Sequence, residues 1–491
     1  MLRRGCIAAV ITVFLAATGF AAAAPTESVV FQFAGTNGNQ PAGTLVADAQ
    51  GNLYGTTPSG GATRSACPPV TKTTPTGGQQ IVLPGGCGIV FKLTPPASGT
   101  GSWKESIIAD FSGSNGSSVE RTLVFDKAGN LYGVTDTGGN GDACPGNLAM
   151  GTLPGCGVVF ELSPPVGAAT AWTLTVLHRF NGNDGATPEG LAFGSDGNLY
   201  GVTSRGGNSA KGCPSNAKGV AAGCGTVYQL ARPAAGTTAW TEMVLHNFGT
   251  GGDGTYPVGI LAISGGNLYG TASAGGEAPA GCAGNAAQYI PIGCGAVFEL
   301  TKPAPGKTAW TEALIYKFSG EPAGAIPYGG VILDKAGNLY GTASAGGTGS
   351  TNSSYTVGNG TVFRLSPPAS VKTGWTPTIL WRFAGGTDGS QPYSGLVIDA
   401  AENLYGTTLY GGGQGPGIAY KLTPPASGTG LWTETVLHRF TVGKTLDAIA
   451  PLGGLLRMPS GVLYGTAVGS VVLGTNNNPQ FGDGAVFEIT P

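Results

Sequence analysis

The chain has 491 residues, of which 89 are Gly and 34 are Pro, while Asp, Glu, Lys and Arg together supply only 10%. A formal net charge of -2, with no Lys/Arg run beyond the first four residues, argues against a nucleic-acid or anionic-membrane partner. With 41% apolar residues a substantial core can form, and Gly and Pro at this level suit a folded chain only where they recur periodically.

At the amino terminus, Arg3 and Arg4 precede an apolar stretch over residues 7–20 and the small-residue run 21–24. This predicts a secretory signal peptide over residues 1–24, leaving residues 25–491 as a single domain. An uncleaved anchor is the rival, since about 20 apolar residues can just span a bilayer; the alanine-rich end favours cleavage.

Cys6 leaves with that segment, and eight cysteines remain. They fall as Cys67 with Cys87, Cys144 with Cys156, Cys213 with Cys224, and Cys282 with Cys294, each pair inside the same part of one repeat. An even count in an exported chain reads as disulfides, and repetition of one local arrangement favours neighbour pairing. Zinc is the alternative, weakened because no His stands near the paired thiolates to fill a tetrahedral shell.

Three signatures then recur seven times each. Leu-Tyr-Gly begins at Leu53, Leu131, Leu199, Leu268, Leu339, Leu404 and Leu463. A Gly-x-(Val/Ala)-(Phe/Tyr)-x-(Leu/Ile) run follows each copy, first at residues 88–93 and last at 484–489. A third run ends in Phe33, Phe111, Phe180, Phe248, Phe318, Phe383 and Phe440. With one further apolar run per unit, each repeat predicts four short strands, the first two joined by a tight Asp-x-x-Gly-Asn turn such as residues 48–52. No segment sustains a 3.6-residue period, so helices are expected to be nearly absent.

Units of about 65 residues with four antiparallel strands fit propeller blades better than solenoid rungs. The chain opens with the fourth strand of a unit whose first three strands lie at the far end, from Leu452 to Ile489. Left apart, both ends would be exposed sheet edges. The expectation is therefore an all-β, seven-bladed β-propeller of four-stranded antiparallel blades, its ring closed by pairing of the amino-terminal strand with the carboxy-terminal blade. Gly after each Tyr weakens a strand, and its recurrence implies close approach of an aromatic ring there.

The combination Gly-Asn-Leu-Tyr-Gly-Thr (residues 337–342), a Gly-Gly pair (Gly346, Gly347) and Gly-Thr-Val-Phe-x-Leu followed by Pro-Pro (residues 360–368) resembles the bacterial GloVer tandem repeat, found in exported choice-of-anchor proteins. The resemblance spans residues 28–491 and implies an envelope or extracellular propeller, with no settled activity or catalytic residues to carry over. Two departures are Gly461-Val462 in place of Gly-Asn, and a final strand followed directly by Pro491, which speaks against a carboxy-terminal anchor.

Candidate chemistry is sparse. His178, His246 and His438 share one slot of the fourth strand, an outer strand, from which side chains of different blades are not expected to converge on a metal or substrate; a structural role is expected. The following connection carries Asn37, Asn115, Asp184, Asp253 and Asp388, each before Gly, on the same face as the cysteine loops. Turn chemistry accounts for Asx-Gly; the functional alternative is that Asp184, Asp253 and Asp388 bind Ca²⁺ or glycan hydroxyls. Trp103, Trp172, Trp240, Trp310, Trp375 and Trp432 open the fourth strand and are expected to wedge between blades rather than stack on sugars. No sialidase boxes, nucleophile elbow or Walker loop occurs.

The expected function is that of an exported, monomeric, non-catalytic binding or scaffold module, without cofactor or membrane span, holding a protein or polysaccharide on its disulfide-bearing face. A carbohydrate-active hydrolase or lyase with acidic residues, with or without Ca²⁺, at the channel mouth is the alternative, and a self-assembling surface-layer component is a third.

Overall fold

The computed structural model describes residues 24–490 apart from 63–66, 74–78, 84, 98, 100, 140–143, 147–152, 208–222, 235, 250–252, 277–281, 283–292, 349–357, 371–373, 414, 427, 429, 442–446 and 474–478. The expected signal peptide over residues 1–24, with Cys6, falls almost wholly outside them. Among the described residues there is no α-helix, and seven four-stranded antiparallel sheets form a seven-bladed β-propeller. Blade 1 comprises, from the axis outwards, Val46–Ala47, Leu53–Thr57, Ile89–Thr94 and Lys104–Asp110, and blades 2 to 6 repeat this order. Blade 7 takes Leu456–Arg457, Leu463–Ala467 and Ala485–Thr490 from the carboxy-terminal end and Thr26–Gln32 from the amino-terminal end. Their register runs from Thr26 opposite Thr490 to Gln32 opposite Ala485, so both chain ends are hydrogen-bonded into one sheet.

The recurrent glycine has a direct steric reason. Gly55 lies opposite Phe91 in the neighbouring strand, and a Cβ on Gly55 would stand 2.5 Å from the Phe91 ring. The same pairing joins Gly133 to Phe160, Gly201 to Tyr228 and Gly341 to Phe363, so each ring lies across bare backbone as the sequence predicts.

Aromatic contacts also join the blades. Phe111, ending the outer strand of blade 1, meets Phe160 of blade 2 edge-on at 5.1 Å, and Phe440 of blade 6 meets Phe487 of blade 7 at 5.0 Å. Each of the six tryptophans that open a fourth strand packs against the Leu-Tyr-Gly tyrosine of the preceding blade, from Trp172 on Tyr54 at 6.0 Å to Trp103 on Tyr464 at 5.7 Å. These are the interblade wedges expected, and they bury indole area while orienting the quadrupoles favourably.

On the hairpin face, Asp48 takes backbone N–H groups of Gln50 and Asn52 on one oxygen, and the Asn52 amide and Tyr54 hydroxyl on the other. Partial burial would push this carboxyl up, yet the hydrogen bonds from Asn52, Tyr54 and Gln50 hold it below its ordinary value. Asp126, Asp334 and Asp399 accept the same hydrogen bond from Tyr132, Tyr340 and Tyr405. The sequence does not signal two extra pairings. Val70–Thr73 pairs with Gln79–Leu83, and a small sheet joins Ala448–Ile449, Gly469–Leu473 and Pro479–Gly482. Both are short insertions outside the repeated signatures.

Candidate functional site

Three of the expected disulfides form: Cys67–Cys87, Cys144–Cys156 and Cys282–Cys294, each with 5.2 Å between Cα atoms. Cys224 is likewise disulfide-bonded, whereas Cys213 lies outside the described residues. Disulfides in this number mark an oxidising compartment. No helix among the described residues is long and apolar enough to cross a membrane.

The bridges act on the connection entering the next blade. Thr187, Tyr256 and Ile326 each precede Pro yet adopt left-handed backbone, with φ of 54, 56 and 56°. A residue before Pro is ordinarily extended, so this geometry needs external support. Their amides donate to the carbonyls of Cys156, Cys224 and Cys294 of the preceding blade, at 3.0, 2.9 and 2.8 Å. Gln40, Ser118, Gln391 and Ala450 repeat the conformation, giving seven copies around the ring. Bridge and entry loop are thus one structure on one face.

At the centre of that face the seven innermost strands and the segments leading into them surround a cavity of about 500 Å³. Apolar side chains such as Ile260, Leu333, Leu396 and Leu455 line its wall. Polar and aromatic groups gather where the chain enters the inner strands. Arg121 places Nη2 3.0 Å from Glu189 and 3.3 Å from Asp136, joining blades 2 and 3. Burial pushes both carboxyls above their ordinary values, and Arg121 opposes that rise. Tyr328 of blade 5 stacks on Tyr393 of blade 6, with ring centroids 4.9 Å apart and planes at 19°. Arg205 lies over the Tyr256 ring at 5.4 Å, and Tyr410 is half exposed. Burial raises Tyr328 to about 12, with Tyr393 and Glu189 adding to the effect, so its phenol remains a neutral donor.

Asn37, Asn115, Asp184, Asp253 and Asp388 do not line this mouth. Each accepts a backbone N–H from the start of its own turn, Asn37 from Ala34, Asn115 from Ser112, Asp184 from Asn181, Asp253 from Gly249 and Asp388 from Ala384. Turn chemistry therefore uses all five. At three junctions an aspartate of the turn also meets the histidine of the outer strand before it. His178 Nε2 lies 3.1 Å from Asp184, His246 Nε2 3.4 Å from Asp253 and His438 Nε2 3.3 Å from Asp447. A glutamate from the next outer strand, Glu242, Glu312 or Glu27, completes each group. Side chains of neighbouring outer strands do converge, because the turn folds its Asx side chain into the junction. Elsewhere the slot is altered: Asn37 donates to Glu105 at 2.9 Å, and Asp388 accompanies Glu434 in the junction where Trp381 stands in the histidine's place in the sequence.

Glu27, Glu105, Glu242, Glu312 and Glu434 occupy one repeated position, second in the outer strand, and that recurrence is readable in the sequence. Asp447 is not, since no Gly follows it and its turn is longer.

Among curated proteins none matches this chain. Solved structures with a similar fold include virginiamycin B lyase from Staphylococcus aureus, at 10% identity and TM-score 0.46, covering 95% of this chain and 99% of that one. They also include the polysaccharide lyase PL25 ulvan lyase, at 10% identity and TM-score 0.47 over 93% and 95%. A third is the PQQ domain of pyranose dehydrogenase from Coprinopsis cinerea, at 11% identity and TM-score 0.40 over 96% of both chains. These likenesses carry nothing about chemistry. Sequence models give a firmer assignment: residues 71–285 and 282–491 match the Gloeobacter/Verrucomicrobia repeat, and the chain belongs to that family.

Proposed function

We propose that the chain is an exported, non-catalytic binding propeller whose channel mouth, on the disulfide-bearing face, holds an uncharged polysaccharide. The observation that carries this reading is the stacked pair Tyr328 and Tyr393 at a cavity bordered by all seven inner strands. Flat aromatic faces with neutral hydroxyls suit pyranose rings, and few polar groups around an apolar wall suit a ligand site. Glu120 and Glu189 outnumber Arg121 in the cavity lining, which disfavours a uronate or sulfated chain.

The hydrolase or lyase alternative would draw on the same carboxylates. Asp136 and Glu189 are both engaged by Arg121, which supports binding over acid–base work. A glycan array probed with the chain separates the readings: retention of neutral polysaccharides without cleavage supports the proposal. Cleavage, retention of only anionic glycans, or retention of none would overturn it.

A further inference from the structure

The junction between blades 6 and 7 holds a group that the channel does not use. Glu27 lies on the amino-terminal strand Thr26–Gln32, His438 on the outer strand Thr433–Arg439, and Asp447 on the connection that follows. His438 Nε2 is 3.3 Å from Asp447 Oδ1 and 4.0 Å from Glu27 Oε2, and one ligand atom from each residue lies within 4.8 Å of the others. The Glu27 and Asp447 side chains are only 7% and 8% exposed. Asp447 is oriented by its other oxygen, Oδ2, which accepts from the Thr441 amide at 2.7 Å and hydroxyl at 2.8 Å. Glu27 Oε1, by contrast, is buried and has no hydrogen-bond partner.

His438 Nε2 faces both carboxylates and can carry one proton at most, with Asp447 the closer acceptor. Two carboxylates are then buried against one donor, and the orphaned Glu27 oxygen carries the deficit. A divalent cation removes it. Tetrahedral sites with N and O ligands at about 2.0–2.2 Å bring ligand atoms to roughly 3.5 Å from one another, between the two distances found here. The turn bonds to Asp447 supply the outer-sphere orientation such a site requires. One imidazole with two carboxylates suits a first-row transition metal, whereas Ca²⁺ takes six to eight oxygens.

We propose that Glu27, His438 and Asp447 form a Zn²⁺-class site, and that the bound ion latches the amino-terminal strand to blade 6. Two ligands come from one end of the chain and the third from the other, so the ion ties the last strand of the ring to a blade with which it shares no sheet. The related groups at His178 and His246 are more open, with Asp184 and Asp253 at 13% and 19% exposure.

The test is calorimetric titration of the chelator-treated chain with Zn²⁺ alone, with thermal melts in parallel. The wild type should bind Zn²⁺, and Glu27→Gln, which keeps shape and removes charge, should lose one equivalent. At a hundredfold excess over the dissociation constant, Zn²⁺ should raise the wild-type melting temperature by roughly 3 °C, and that of Glu27→Gln by less. Should Glu27→Gln not fold, Co²⁺ absorption of the wild type compared with His438→Gln gives the same reading, one tetrahedral N/O spectrum lost. Equal stoichiometry in wild type and variant, no Zn²⁺ binding, or an equal rise with Ca²⁺ in place of Zn²⁺ would overturn the proposal.

Discussion

Phe33 and Phe91 meet edge to face with ring centroids 5.0 Å apart, the first from the strand that completes blade 7 and the second from the third strand of blade 1. Both rings are buried, at 4% and 0% exposure. The same contact recurs between successive blades, so ring closure uses the packing that holds the rest together.

Phe33→Ala is therefore expected to destabilise by about 3–5 kcal/mol, the usual loss for a buried Phe. Removing residues 26–34 should do more, since it also takes away the pairing with Ala485–Thr490. Denaturant unfolding would show both as lower midpoints; a deletion variant unfolding like the intact chain would contradict closure as described.

Gly341 faces Phe363 with no room for a methyl group, as a Cβ would lie 2.5 Å from the ring. Gly341→Ala should lower stability by about 1–3 kcal/mol or more, and Phe363→Leu in the same chain should recover part of the loss. Additive losses in the double variant would contradict the steric account.

Glu434 sets a pH dependence. Burial first and Asp388 second push its carboxyl up from 4.5 to about 8, against the opposing charge of Arg439. The folded chain thus keeps a proton that the unfolded chain gives up near the ordinary value. The associated stability is fully present below about pH 4.5 and is lost as pH rises towards 8. Glu434→Gln removes this term, so the melting temperature of the wild type relative to the variant should fall between these limits. Parallel melting curves across that range would contradict it.

What repeats was readable in the sequence, and what occurs once was not. Seven copies of Leu-Tyr-Gly and the displaced first strand carry the blade number and closure, because each copy meets the same packing demand. The paired cysteines carry the bridges by the same logic. The channel mouth draws Arg121, Glu189, Tyr328 and Tyr393 from four different blades; Glu189, Tyr328 and Tyr393 each directly follow the Pro that leads into a blade, a slot whose residue changes from repeat to repeat. Only the closed ring brings them together. The junction glutamates lay between these cases: their slot repeats, but their meeting with His and Asp depends on how the turn after each outer strand folds back.

The stacked tyrosines give the most direct measurement. Once a neutral polysaccharide ligand is in hand from the array, calorimetric titration should show Tyr328→Ala and Tyr393→Ala each weakening binding about tenfold, or 1.4 kcal/mol, with disulfides and melting temperature little changed. Undiminished affinity in the double variant would contradict the assignment of the channel mouth as the binding site.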